Sequence, residues 1–140
     1  MARTAKTVLV VVAVVLVALL GGFLWGAAGK STIDRALQRS ELRNELLEAH
    51  GSVLRARVDL YNTNFGEASR HLEEARGAAG RAAQRLEGLQ RPDEIKQLQS
   101  ALGSIDEAQR LSGKLDLTAS ARAADAARAI EAAMDATAKP

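Results

Sequence analysis

The sequence predicts an all-α protein, in which one N-terminal transmembrane helix is followed by a small bundle of helices outside the membrane. Two observations support this fold class. An uncharged run of 23 residues extends from 7 to 29, and the apolar residues after it recur at spacings of three and four, which is typical of helix faces. We therefore divide the chain into a basic tail (1–6), an anchor (7–29) and an α-helical extramembrane domain (30–140).

The anchor is long enough to span a bilayer. At about 1.5 Å per residue, a helix of this length crosses a hydrocarbon core of roughly 30 Å. Trp25 and Lys30 stand where residues at the membrane interface are expected. A cleavable secretory signal, with Gly26 and Ala28 before the cut, is the alternative. The apolar stretch exceeds the usual signal core of about 7 to 15 residues, which favours a retained signal-anchor.

The charges around the anchor bear on its orientation. Arg3 and Lys6 precede it, whereas Lys30 and three arginines of the next helix follow it. By number alone, the positive-inside rule would place the domain in the cytoplasm. The short basic head beside a long apolar run favours the opposite orientation. We expect a single-pass protein of a bacterial inner membrane, with a cytoplasmic N-terminus and a periplasmic helical domain.

Small residues form a stripe along the anchor. Ala18, Gly22 and Gly26 are four residues apart, a spacing that lets two membrane helices approach closely. These three residues are the expected packing face for a neighbouring helix. The segment 26–32 is similar to a phosphate-binding loop, but Leu24 occupies a position where that motif requires glycine. Nucleotide binding is therefore not expected.

Two long apolar stripes predict an antiparallel hairpin of helices at about 32–61 and 65–90. The turn between them is expected at 62–64, and Asn64 with Glu67 resembles a capping box. The first stripe consists of Leu42, Leu46, Ala49, Val53, Ala56 and Leu60, with the alternating spacing of a coiled coil. The second consists of Phe65, Ala68, Leu72, Ala75, Ala79, Ala82, Leu86 and Leu89. The expected hairpin core is Leu42, Leu46, Val53, Leu60, Phe65, Leu72, Leu86 and Leu89.

Two further helices are predicted at about 93–112 and 117–137. Pro92 suits the first turn of a helix, and Gly113 is expected to loosen the chain before Asp116 or Thr118 caps the last helix. The apolar face of the third helix contains Ile95, Leu98, Leu102 and Ile105, and that of the fourth contains Ala123, Ala127, Ile130 and Met134.

Residues 64–75 resemble the second helix of a tetratricopeptide unit. Phe65 is followed by Ala68, Leu72 and Ala75, at offsets where that family has an aromatic, an alanine, a large apolar residue and an alanine. Thr63 stands where the family has glycine, and no 34-residue repeat recurs. The resemblance implies a similar tight helix-turn-helix and does not extend to a peptide-binding array.

Several classes of chemistry are not expected. The chain has no cysteine, which excludes thiolate metal sites and cysteine nucleophiles. Residues 31–140 have 16 basic and 17 acidic residues with Tyr61 and Phe65 as their aromatics, which argues against nucleic-acid binding. Glu67 and His71 share a helix face, but two ligands do not make a metal site. We expect no catalytic residue, no cofactor and no enzymatic activity.

The composition points towards protein partners. Residues 31–140 contain 22 alanines and 21 Leu, Ile, Val and Phe residues together. An alanine-rich core buries little apolar area per residue, so the domain should gain stability from association with other subunits or with copies of itself. The sequence favours a non-enzymatic accessory or scaffold subunit of an inner-membrane complex. A free-standing exported sensor or ligand-binding module is the alternative.

Overall fold

The computed structural model describes residues 33–138 of the chain, which form four helices and no strand. The described part of α1 covers 33–61. It is followed by α2 (Phe65–Gly88), α3 (Pro92–Ser112) and α4 (Ala119–Ala138). The prediction of an all-α helical bundle is confirmed. The predicted anchor at 7–29 lies outside the described residues, and none of the helices within 33–138 combines the length and apolar composition needed to cross a bilayer.

The chain divides into two compact units at Ser40. Residues 33–39, at the end of the first unit, are helical and exposed. Residues 40–138 of the second unit contain most of α1 and the three following helices. We call this second unit the helical domain.

In the helical domain, α1 and α2 pack antiparallel. Arg85 near the end of α2 contacts Glu41 near the start of α1, whereas His71 near the start of α2 contacts Asp59 near the end of α1. The apolar stripe of α1 faces this seam. All six of its residues are buried, namely Leu42, Leu46, Ala49, Val53, Ala56 and Leu60.

The remaining helices continue the antiparallel order. The Ser112 hydroxyl at the end of α3 donates to the Phe65 carbonyl at the start of α2, with an O···O distance of 3.1 Å. At the other end, Arg91 donates to the Ala136 carbonyl of α4 at 3.1 Å. Alanine dominates the buried face of α4, which comprises Ala119, Ala123, Ala126, Ala127, Ile130 and Ala133. Such small side chains permit close approach of helix backbones.

All three connections use the same backbone device. After α1, the Asn64 N–H donates to the Asp59 carbonyl and the Thr63 N–H donates to the Leu60 carbonyl. This pair of bonds is a Schellman motif, whose central residue adopts the left-handed conformation that glycine favours. Here none of the central residues is glycine: they are Thr63 (φ 57°), Gln90 (φ 55°) and Leu115 (φ 58°).

Helix ends differ from the expected positions by one to two residues. The second helix ends at Gly88 and not at 90, because Gln90 has left the right-handed region. The fourth begins at Ala119 and not at 117, since the Asp116 carboxylate accepts the backbone N–H of Thr118 and holds 117–118 in a turn. Gly113 has an ordinary helical φ of −63°. The left-handed turn expected of a glycine falls instead on Leu115.

The capping box predicted before α2 forms only in part. The Asn64 Oδ1 accepts the Glu67 N–H at 3.5 Å, which is a long hydrogen bond. The Glu67 carboxylate accepts from Arg70 on the same helix. The Asn64 N–H, which a complete capping box would satisfy with Glu67, is taken up by the Schellman motif.

Candidate functional site

The described residues contain no group of three or more histidine, aspartate or glutamate side chains placed to hold a metal ion. Glu67 and His71, which share a face of α2, have different partners. Glu67 accepts a hydrogen bond from the Arg70 Nε at 2.9 Å. The His71 Nδ1 lies 2.7 Å from the Asp59 Oδ2 of α1. Both side chains are thus engaged in structural contacts.

A row of charges joins the two helices of the first hairpin, and we call it the charged seam. It comprises Glu41, Glu45 and Glu48 of α1 with Arg81 and Arg85 of α2. Arg85 donates to Glu41 at 2.7 Å and to Glu45 at 2.8 Å, and Arg81 donates to Glu48 at 2.9 Å. The three glutamates are four and three residues apart, so they line one edge of α1.

Glu45 is the most constrained member of the charged seam because only 8% of its surface is exposed. A buried carboxylate is costly unless it is paired, and Arg85 supplies the partner. The hydrogen bond with Glu45 is the main cause that raises the pKa of the Arg85 guanidinium, with burial acting in the opposite direction. We therefore expect the charged seam to favour the observed register of α1 against α2.

A second polar contact lies near the turn. The Asp59 and His71 side chains are largely buried, with 20% and 14% of their surfaces exposed. Closer to the centre of the hairpin, Arg55 and Glu74 form a longer ion pair of 3.8 Å. The spacing of apolar residues gave no signal for either pair, because their partners belong to different helices.

The second hairpin, which consists of α3 and α4, contains one buried carboxylate, that of Glu94. Arg91, before α3, donates its Nε to Glu94 at 2.8 Å. This hydrogen bond is the main cause that lowers the pKa of the Glu94 carboxyl, whereas burial opposes the shift. Because Arg91 also donates to the Ala136 carbonyl, the arginine links the start of α3 to the end of α4.

The face of α1 opposite its buried stripe carries exposed apolar side chains. We call this the outer face and define it as Asn44, Leu47, Gly51, Leu54, Val58 and Tyr61. The exposed fractions of its large apolar residues are 47% for Leu47, 40% for Leu54, 60% for Val58 and 87% for Tyr61. Ile33 and Leu37 are also exposed, and the other exposed large apolar residues of the described chain are Leu115 and Leu117.

The sequence-based site residues fall into two groups. The predicted membrane packing face (Ala18, Gly22 and Gly26) and the predicted interfacial residues (Trp25 and Lys30) lie outside the described residues. The hairpin core residues are described. Leu42, Leu46, Val53, Leu60, Leu72 and Leu86 are buried, and Phe65 and Leu89 are partly buried against the same cluster.

The charged seam and the outer face were missed by sequence analysis. For the outer face, a signal exists in the four-three spacing of its apolar residues, but Asn44 and Gly51 interrupt that pattern. No family model matches the chain, and no curated protein or solved structure is significantly similar to it. The likeness of 64–75 to a tetratricopeptide helix therefore stays a prediction.

Proposed function

We propose that this chain is a non-enzymatic, membrane-anchored helical protein that acts as an accessory or scaffold subunit of a larger inner-membrane protein complex. The observation that carries this proposal is the outer face of α1. Four large apolar side chains are exposed there in a row, and burying apolar surface against a protein releases about 25 cal/mol per Å². Exposed apolar patches of this kind are typical of interaction sites.

The lean core supports the same interpretation. The buried faces of α2 and α4 each contain five alanines, so the domain buries little apolar area for its length. The large apolar residues that could enlarge this core are instead exposed on α1. A domain with this distribution is suited to gain stability by association.

Membrane anchoring is the second part of the proposal and rests on the uncharged run at 7–29. In the orientation we propose, the N-terminus is cytoplasmic and the helical domain is periplasmic. A single cysteine at Ser100, an exposed position of α3, tests this orientation in a chain that has no other cysteine. A membrane-impermeant maleimide should label it in intact spheroplasts. Labelling only after lysis would place the domain in the cytoplasm.

The subunit role is tested by purifying the tagged full-length chain from membranes in a mild detergent. We expect it to migrate on native gels well above its monomer mass, with other membrane proteins at a constant ratio in mass spectrometry. A tagged variant with Leu47→Glu and Val58→Glu should still insert into the membrane. It should co-purify with smaller amounts of those membrane proteins, or with none of them. Migration of the parent as a small monomer would contradict the subunit role and favour a free-standing binding module.

A further inference from the structure

The outer face has the periodicity of a coiled-coil seam. Its six positions follow one another at spacings of three, four, three, four and three residues, the heptad pattern of two helices that pack side by side. In heptad terms, Asn44, Gly51 and Val58 occupy the a positions. Leu47, Leu54 and Tyr61 occupy the d positions. The buried stripe of α1 has the same spacing on another face, so α1 carries two seams and α2 covers one of them.

Two residues of the outer face suit a second copy of the same chain. A single asparagine at an a position specifies register and oligomeric state in two-stranded coiled coils. In a parallel pair, Asn44 lies opposite its own counterpart, where the two amides can hydrogen-bond to each other. Gly51 has no side chain, so a second helix can approach closely there. The chain's own packing does not require glycine at this position, because an added Cβ would meet only the Arg55 Nη1, at 4.0 Å.

One g–e pair beside the seam is complementary in a parallel dimer, whereas the next g and e residues, His50 and Arg55, carry no opposite charges. Arg43 occupies a g position and Glu48 the following e position, and a parallel dimer brings g of one helix next to e of the other. Arg43 of each copy would then face Glu48 of its partner, which gives two such pairs per dimer. Glu48 already accepts from Arg81, and a carboxylate has sites for a further donor.

The position of the seam in the chain also favours this arrangement. In the sequence, Leu37 and Ile33 continue the same heptad spacing toward the predicted anchor, which ends at 29. Two copies anchored in one membrane would have the N-terminal ends of their first helices tethered to the same surface, which favours parallel over antiparallel pairing of those helices. We therefore expect a second copy to meet the outer face in parallel and in register.

We propose that the outer face of α1 binds the outer face of a second copy as a parallel, in-register coiled coil, so that the anchored protein is a homodimer. The parallel direction rests on the membrane anchoring proposed above. Each copy would bury Leu47, Leu54, Val58 and Tyr61 while its own α2 continues to cover the opposite seam.

Disulfide cross-linking in membranes tests the register. Asn44→Cys, Gly51→Cys and Val58→Cys are made separately in the full-length, otherwise cysteine-free chain and oxidised with copper phenanthroline. Equivalent a positions are adjacent in a parallel dimer, so each variant should form a disulfide-linked dimer, whereas the exposed control Ser100→Cys should stay monomeric. An antiparallel pair, or a different protein bound to the outer face, would give disulfide-linked dimers for fewer than three of the variants. That result would overturn the proposal.

A second experiment removes the apolar surface without touching the core. When the full-length protein is overproduced and purified alone in mild detergent, Leu47→Glu with Val58→Glu should change its protein mass in light scattering from that of a dimer to that of a monomer. Leu115→Glu with Leu117→Glu is the matched control, since those leucines are at least as exposed but lie between α3 and α4. The control should stay dimeric. A monomeric parent, or a dimer that survives the outer-face changes, would contradict the proposal.

The two proposals can fail separately. If the protein co-purifies with other subunits but the three cysteine variants give no dimers, the homodimer is wrong and the subunit role stands. If the cysteine variants cross-link while no other subunit co-purifies, the subunit role is wrong and the homodimer stands. If the cysteine at Ser100 were labelled only after lysis, the helical domain would be cytoplasmic. A parallel dimer would still be expected, because both anchors would lie in the same membrane.

Discussion

The two hairpins of the helical domain are held together by different means. The buried residues of α1 and α2 include five leucines, one valine and seven alanines, and the charged seam crosses from one helix to the other. The buried residues of α3 and α4 also include seven alanines, but only three large apolar residues, namely Leu98, Ile105 and Ile130. The ion pairs within 92–138 join residues three positions apart on the same helix, as Arg122 and Asp125 do at 3.2 Å.

This difference affects what each hairpin tolerates. In the first, a shift of one helix along the other would break the contact between Arg85 and the buried Glu45 carboxylate, and an unpaired buried charge is costly. Arg81, one turn away and 3.8 Å from Glu45, would replace Arg85 only for a shift in one direction. In the second, the same-helix ion pairs add only about 0.2 to 0.5 kcal/mol each and carry no information about register. The second hairpin depends instead on the small size of its alanines, so it should tolerate changes of charge better than changes of volume.

The largest effect is expected from a charge in the core of the first hairpin. Leu72→Asp replaces a fully buried side chain of α2 and should lower the free energy of unfolding by about 3 to 5 kcal/mol, because the carboxylate finds no partner there. Ser100→Asp, at an exposed position of α3, is the control and should change it by less than about 0.5 kcal/mol. Chemical denaturation followed by circular dichroism measures both. Equal stability of Leu72→Asp and the parent would mean that α2 does not pack on this face.

A larger side chain at a buried alanine tests whether the second hairpin depends on the small size of its core residues. Ala126→Leu adds bulk at a fully buried position of α4 and should cost about 1 to 3 kcal/mol by overpacking. Ala121→Leu, at an exposed position of the same helix, should change stability little. A stabilised Ala126→Leu would show that α3 and α4 leave space between them, and the proposed reliance on close alanine packing would be wrong.

The contribution of the charged seam to the stability of the first hairpin can be measured by replacing each of its two arginines. Arg85→Met keeps a long apolar side chain but removes the main partner of the buried Glu45, so it should lower Tm clearly. Arg81→Met is the matched control, because Arg81 pairs with the exposed Glu48 at 2.9 Å and lies farther from Glu45, at 3.8 Å, and exposed pairs contribute little. If the two variants had the same Tm, the burial of Glu45 would not determine how much the charged seam contributes to stability.

The smallest expected effect is a gain in stability at the turn of the first hairpin. Thr63 is β-branched and has a φ of 57°, a conformation that costs such a residue free energy and costs glycine none. Thr63→Gly should therefore raise the free energy of unfolding by about 0.5 to 1 kcal/mol. The exposed Thr118→Gly, which lacks a positive φ, should not be stabilising. A destabilised Thr63→Gly would mean that the hydrogen bond from its hydroxyl to the Asn62 carbonyl outweighs the strain.

The helices were predictable because their apolar faces are long and regular. Leu46 and Leu72 were chosen from spacing alone, and both are fully buried. The turns were located correctly within two residues by Asn64, Pro92 and Asp116, which cap or begin helices through local interactions. Such signals operate over a few residues and can be read in one sequence.

The functional features were harder to predict because they depend on contacts between distant residues. Arg85 and Glu45 are 40 residues apart, and Asp59 and His71 are on different helices. Their pairing requires the register of the hairpin, which apolar spacing alone leaves open by a helical turn. The outer face was missed for another reason. Its apolar residues were identifiable, but only the packed domain shows which of the two faces of α1 is covered.

The most direct test of the account concerns the proposed assembly in the membrane. Gly22→Ile with Gly26→Ile keeps the predicted anchor apolar but blocks close approach of a neighbouring helix. We expect this variant to insert normally, as shown by membrane fractionation, and to lose its slow-migrating complex on native gels in mild detergent or to accumulate less in cells. Migration of both the parent and the variant as the same small monomer would contradict the claim that this protein works as part of a membrane assembly.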